Sequence, residues 1–274
     1  MLRLGKVDYL NVLPIYHAFS SRSVPLEAEL VAGVPALLNQ KFLAGELDIT
    51  PISSIAYARQ PEAGWVLPDI SISADGEVES ILLFLNCPVE ELQGKTIAVT
   101  TSSATSVVLL KILMERYFHI SCSYQPLQPN LSEMLAQYPA ALLIGDDALL
   151  ARENCKRPYV DLGFLWKEMT GLPMVYALWV IHRDYVQSKS HQIGSVVEAF
   201  QQSRRWGMNH RSEVIREARK ICSLPTPLLE RYFDTIRYDL DDSYRKAVEV
   251  FFDYAAQVKA LPAPVKLKVW GVDG

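Results

Sequence analysis

The chain has 274 residues, half of them hydrophobic and 21% charged, which is enough apolar material for a large core in one or two domains. Its formal net charge is −4, and its Lys and Arg are spread along the chain, densest in "SRRWGMNHRSEVIREARK", which reads as a solvated helix face. A nucleic-acid partner would call for a clustered basic patch, so none is expected. Cys87, Cys122, Cys155 and Cys222 are scattered singly, without ligand spacing for a metal or pairing for a disulfide framework.

"LRLGKV" is a first strand, ended by the loop "DYLNVLP". Arg3, Lys6 and Asp8 break its apolar residues, so it does not read as a secretory leader, and a cytoplasmic location is expected. A helix follows from Pro35, with Leu37, Leu38, Phe42 and Leu43 on one face and Gly45 as its stop. "ELDITPISS" is a strand ending on Pro51 and two serines. After "LPDISISADGEVES" comes another strand, "SILLFLN", which ends at Pro88 and is too short for the ~18 apolar residues of a membrane span.

A new unit begins at Glu90. "KTIAVT" is a strand, and Ser106 to Phe118 a helix with Val107, Leu110, Leu113 and Met114 inward. "PALLIGDDALLA" repeats the strand–turn–helix form, and "GLPMVYALWVIH" is a long aromatic-rich strand. The chain is then helical to about Lys259, with a break at "SLPTPLL", before the extended tail "PVKLKVW". Such alternation predicts an α/β protein with mostly parallel pairing. The order suggests two lobes, the second inserted into the first: lobe one 1–86 and 176–274, lobe two 87–175. Two crossing strands, near Phe84–Pro88 and Met174–Trp179, would form a hinge beside a central cleft. One continuous sheet is the alternative.

Ligands of open α/β sheets bind beyond the carboxyl ends of the strands. The residues there are Tyr9 and Asn11, Ser53 and Ser54, the run Thr101, Ser102, Ser103, Ala104, Thr105 and Ser106, and Gly145, Asp146 and Asp147. Ser80 opens a hinge strand. The set is polar, mostly uncharged and rich in donors, which fits a small anion held by backbone N–H groups and hydroxyls at a helix start. Each residue also has a plainer reading. The hydroxyls of 101–106 and Asp146 are good helix caps, Ser53 and Ser54 can open the helix carrying Ile55 and Tyr57, and Asn11 can order a turn. Asp146 and Asp147 as a pair suit acid–base work, yet no further ligands complete a metal site. The five histidines lie in no Ser/Asp constellation, and Trp65, Trp166 and Trp179 read as core.

Taken together, "VDYLNVLPIY", "GVPALLNQKFLAGELDITPISSIAYAR", "LPDISISADGEVESILLF", "VTTSSATSVVLLKILM", "ALLIGDDAL" and "DLGFLWKEMTGLPMVYALWVIHR" resemble the chorismate dehydratase family of the futalosine route to menaquinone. The resemblance runs in register from Val7 to Arg183. It implies a type 2 periplasmic-binding-protein-like fold and a carbon–oxygen hydro-lyase without cofactor or metal. The implied reaction takes water from chorismate and leaves 3-[(1-carboxyvinyl)oxy]benzoate. It implies Asn11 of "YLN" and Ser80 of "GEVES" as the catalytic pair, acting with a carboxylate of the substrate itself. Ser53, Ser54, Ser102, Ser103, Ala104, Thr105, Gly145 and Asp146 are then expected to bind the substrate. The sister enzyme that makes 1,4-dihydroxy-6-naphthoate is similar around "LLIGDDAL" but carries a His where Gly145 stands. A solute-binding or sensing protein for a small carboxylate has the same expected fold, which by itself does not settle function.

Overall fold

The computed structural model describes residues 1–272. Its elements, in chain order, are β1 (Leu2–Val7), α1 (Leu13–Ser20), β2 (Ala28–Gly33), α2 (Pro35–Leu43), β3 (Ile49–Ser53), α3 (Ser54–Arg59), β4 (Gly64–Ala74), β5 (Ile81–Leu85), β6 (Thr96–Thr100) and α4 (Ala104–Ile112). There follow β7 (Ser123–Leu127), α5 (Leu131–Gln137), β8 (Ala140–Ile144), α6 (Gly145–Asn154), β9 (Tyr159–Asp161), α7 (Leu162–Thr170), β10 (Met174–His182), α8 (Arg183–Asn209), α9 (Arg211–Ile221), α10 (Thr226–Thr235) and α11 (Asp242–Gln257). The strands form two five-stranded sheets, ordered β2-β1-β3-β10-β4 and β7-β6-β8-β5-β9.

The two sheets share one plan. In each, three parallel strands are followed by an antiparallel one, β10 in the first and β5 in the second. Each antiparallel strand is the one that has just crossed from the other sheet. The crossings therefore lie between Ala74 and Ile81 and between Thr170 and Met174. This places Ile81–Leu85 in the second sheet, whereas the expected boundary at 86/87 gave it to lobe one. The five residues of β5 are all buried and divide by strand periodicity. Ile81, Leu83 and Leu85 join the large core that runs between both sheets, while Leu82 and Phe84 join a small cluster beneath α5 and α6. A strand covered on both faces reads as an unbroken apolar run, which is why "SILLFLN" stood out.

Other expectations needed correction. Part of the loop "DYLNVLP" is a turn of 3-10 helix, Leu10–Val12, leading into α1, where Pro14 occupies the first turn and its missing N–H costs nothing. Leu38 and Phe42 of α2 are buried, but Leu37 and Leu43 are exposed, because only an i, i+4 pair faces the sheet. α4 begins at Ala104, two residues before Ser106, and ends in a π-helical turn, Leu113–Tyr117. Leu110, Leu113 and Met114 point inward and Val107 is half-buried. β4 was hidden by Pro68 and by Asp69, whose φ of +60° makes a break in an otherwise continuous strand. Trp166 and Trp179 are core as expected, and Trp65 is half-buried against Trp270. The tail is extended and closes the edge of β4, with Val66 N donating to Lys268 O at 2.7 Å and Trp270 N to Val66 O at 2.9 Å.

α1 carries the loop that bears Asn11, and α8 holds α1 in place. Gly207 of α8 lies so close that a Cβ there would sit 1.9 Å from Pro14 O, and Ser203 Oγ donates to Ile15 O on the same face. A Gly207→Ala substitution is therefore expected to destabilise the fold by about 1–3 kcal/mol through overpacking against backbone. Urea unfolding measures it, and wild-type stability would show that the helix pair can separate freely.

Candidate functional site

A cavity of about 720 Å³, including the part open to solvent, lies between the two sheets. The first sheet contributes Tyr9 and Asn11 after β1, Ser53 at the end of β3, and Tyr176 on β10. The second contributes Ser80 before β5, Ser102, Ser103 and Ser106 at the start of α4, and Gly145 after β8. The rest of the wall is apolar, with Ile52, Ile72, Ile81 and Ile144 prominent, and no charged side chain lines it. Among the described residues, no three His, Cys, Asp or Glu side chains group as a metal site.

Asn11 is held by its backbone: Tyr238 Oη donates to Asn11 O at 2.8 Å. Its side-chain Oδ1 is buried with no hydrogen-bond partner. An unpaired buried polar atom costs about 1–3 kcal/mol, a cost that a ligand group reaching the cavity would remove. Tyr176 also lines the cavity, and its hydroxyl is buried and unpartnered against Gly163. Burial pushes its phenol well above the usual tyrosine range, so it stays a neutral donor. Ser80 Oγ has a long bond to Val78 O, 3.4 Å, and lies within reach of the Tyr232 hydroxyl. Ser53 stands at the N-cap position of α3 but makes no side-chain cap, which leaves its hydroxyl for the cavity.

The start of α4 serves as both cap and binding wall. Ser103 Oγ caps the helix by accepting from Ser106 N at 3.2 Å and lies 3.0 Å from Ser106 Oγ, while Ser102 N donates to Thr100 Oγ1 at 3.1 Å. The serines still line the cavity, and the positive end of the helix dipole faces an anion placed there. Gly145 is favoured by its φ of +58°, and an added Cβ would rest in contact with the Tyr9 ring at 3.4 Å. Its N–H donates to Ser80 O at 2.7 Å, so Gly145 and Ser80 are placed together.

Four of the expected binding residues do not line the cavity: Ser54, Ala104, Thr105 and Asp146. Three of these make structural bonds around it. Ser54 is fully buried and donates to Val175 O at 2.7 Å. Thr105 Oγ1 accepts from Ile55 N at 3.0 Å, joining the second lobe to the first. Asp146 Oδ1 accepts from Leu10 N at 3.2 Å, a second bond of that kind. Tyr176 was not foreseen, because an aromatic inside "PMVYALWVIH" carries no mark that separates it from core. Its only signal was proximity to the returning crossing.

Two lobes, two crossing segments and a cavity between them define a fold of the periplasmic-binding-protein type. The periplasmic aliphatic sulphonate binding protein SsuA of Escherichia coli has the same fold, with a TM-score of 0.72 at 15% identity over 98% of this chain and 91% of its own. Sequence comparison gives the family: the chain belongs to the menaquinone biosynthesis family, which it matches over residues 2–257. The chorismate dehydratase of Thermus thermophilus is 32% identical over 265 residues, covering 90% of this chain and 93% of that protein. The 1,4-dihydroxy-6-naphthoate synthase of the same organism is 25% identical over 276 residues, covering 98% and 99%.

Burial pushes the Asp146 carboxyl from its ordinary 3.8 up to about 6; the Leu10 N–H opposes this and Asp147 adds to it. The folded chain thus holds this proton more firmly than the unfolded chain. The group's contribution to stability falls as pH rises from 3.8 to about 6 and is level above that. Asp146→Asn keeps an oxygen acceptor for Leu10 and removes the charge. It is expected to raise stability at pH 7 by on the order of 1–2 kcal/mol and to flatten the slope between pH 4 and 6. Burial also raises Asp147 and Asp161, so some slope remains. Unfolding curves at both ends of that window decide it, and an unaltered slope overturns it.

Proposed function

We propose that this protein is a chorismate dehydratase, a lyase that removes the C4 hydroxyl and the C3 hydrogen of chorismate as water and leaves 3-[(1-carboxyvinyl)oxy]benzoate. The observation that carries this reading is the neutral cavity with the unpartnered Asn11 Oδ1 on its wall. Among the described residues, Tyr9 and Tyr176 are the only titratable side chains on the lining, and burial raises both phenols, so neither is a base at neutral pH. A reaction in such a site draws its proton acceptor from the ligand. Chorismate carries two carboxylates, and one of them takes the C3 proton while the hydroxyl departs. The ring becomes aromatic, which supplies the driving force. Asn11 and Ser80 orient the reacting carboxylate and the leaving hydroxyl. Ser102, Ser103 and Ser106 at the start of α4, with Ser53 opposite, hold a carboxylate by neutral donors fixed in advance of the reaction. With no helix long and apolar enough to cross a membrane among the described residues, a cytoplasmic site of action fits this reading.

The naphthoate synthase reading is disfavoured at Gly145. Glycine at this position leaves no imidazole to serve as a base there. A binding protein without catalysis is separated by experiment. Purified protein incubated with chorismate, without metal or nucleotide, is expected to form a product one water lighter. Asn11→Ala and Ser80→Ala are each expected to lower turnover by about 10²–10³-fold. Chorismate bound but unchanged would make this a binding protein, and near-normal turnover in both variants would remove the assigned roles.

A further inference from the structure

Ser80 stands at the end of a segment whose backbone is unusually constrained. Glu79, immediately before it, has a φ of +62°, in the left-handed region that a residue with a side chain adopts only when its surroundings impose it. The surroundings are visible. Asp161 accepts from Val78 N at 3.1 Å and from Glu79 N at 2.7 Å. Gly145 N donates to Ser80 O at 2.7 Å. The Glu79 carboxylate, itself buried, receives Arg231 Nε at 2.8 and 3.0 Å from α10 and a guanidinium nitrogen of Arg152 at 3.1 Å from α6. α10 belongs to the first lobe and α6 to the second, so one carboxylate is gripped from both sides of the cleft. Tyr232, next to Arg231 on α10, is fully buried with its hydroxyl directed toward Ser80.

A carboxylate buried between two guanidinium groups adds little stability over apolar packing, because desolvation consumes most of the attraction. What it supplies is a fixed geometry. Resting on the dehydratase reading above, we propose that Glu79 is a positioning residue for that reaction: its two-sided ion pair holds the left-handed turn that aims the Ser80 hydroxyl into the cavity. Glu79 does not line the cavity and acts through Ser80.

The test is a kinetic cycle with chorismate as substrate on the intact chain. Glu79→Gln keeps the shape and removes the charge. Its kcat is expected to fall by about 10–100-fold, the scale set by a misplacement of about 1 Å. Its KM is expected to stay level or fall, because two guanidinium groups near an anionic substrate lose their counter-charge. Glu79→Gly relaxes the φ requirement but lacks the ion pair, and is expected to lose kcat similarly. In a Ser80→Ala background, Glu79→Gln is expected to cost nothing further. Full activity in both Glu79 variants, a KM rise that accounts for the loss, or multiplying losses in the double variant would each overturn the proposal. Wild-type protein that leaves chorismate unchanged would instead overturn the dehydratase reading and this inference with it. An active wild type with additive losses overturns this inference alone.

Discussion

The Asp161 carboxylate accepts four backbone N–H groups. Two come from the crossing segment, Val78 and Glu79, and two from the first turn of α7, Gly163 and Phe164. One side chain thereby caps a helix of the second lobe and pins the strand that enters it. Burial raises the Asp161 carboxyl above its ordinary range, while the four N–H groups pull it back toward the charged form. The position of Ser80, the start of β5 and the wall of the cavity all follow from that anchorage. The lobes meet across the cleft at further points, Ile55 at the start of α3 with Thr105 at the start of α4, and Leu10 in the 3-10 turn with Asp146 at the start of α6.

The distribution of charge is the second feature that organises the site. Glu79 and Asp146 adjoin cavity-wall residues in the chain, and Arg152, Arg231 and Asp161 all bond Glu79, yet none of the five lines the cavity. Their charges are matched to one another or to backbone N–H groups, which fixes the frame. The polar groups that face the cavity are then hydroxyls, a carboxamide and a helix start, set in an otherwise apolar wall. Such a surface can hold an anion through neutral donors, without a paired cation. An Arg or Lys on the wall would bind the carboxylate more strongly and make it a poorer base.

Much of this was legible in the residues. Apolar runs marked β1, β3, β5, β6, β8 and β10, and the residues following them located most of the polar part of the cavity wall: Tyr9, Asn11, Ser53, Ser102, Ser103, Ser106 and Gly145. The edge strands β2 and β7 were not legible, since their residues are largely half-exposed or exposed and one carries Pro126. The assignment of β5 to the second sheet was also out of reach. A buried strand shows the same apolar run whichever sheet it joins.

The sequence by itself determined the α/β class and the chemical character of the site, because periodicity and the residues after each strand are local properties. It suggested two lobes but left one continuous sheet open, and the two separate sheets settled that. Only the tertiary structure separated hydroxyls that face the cavity from those that stitch the frame. Ser53 and Ser54, or Thr105 and Ser106, are neighbours of the same chemistry in the sequence. Successive side chains leave the backbone in different directions, and whether one meets a ligand, a carbonyl such as Val175 O, or an amide such as Ile55 N depends on what the other lobe brings beside it.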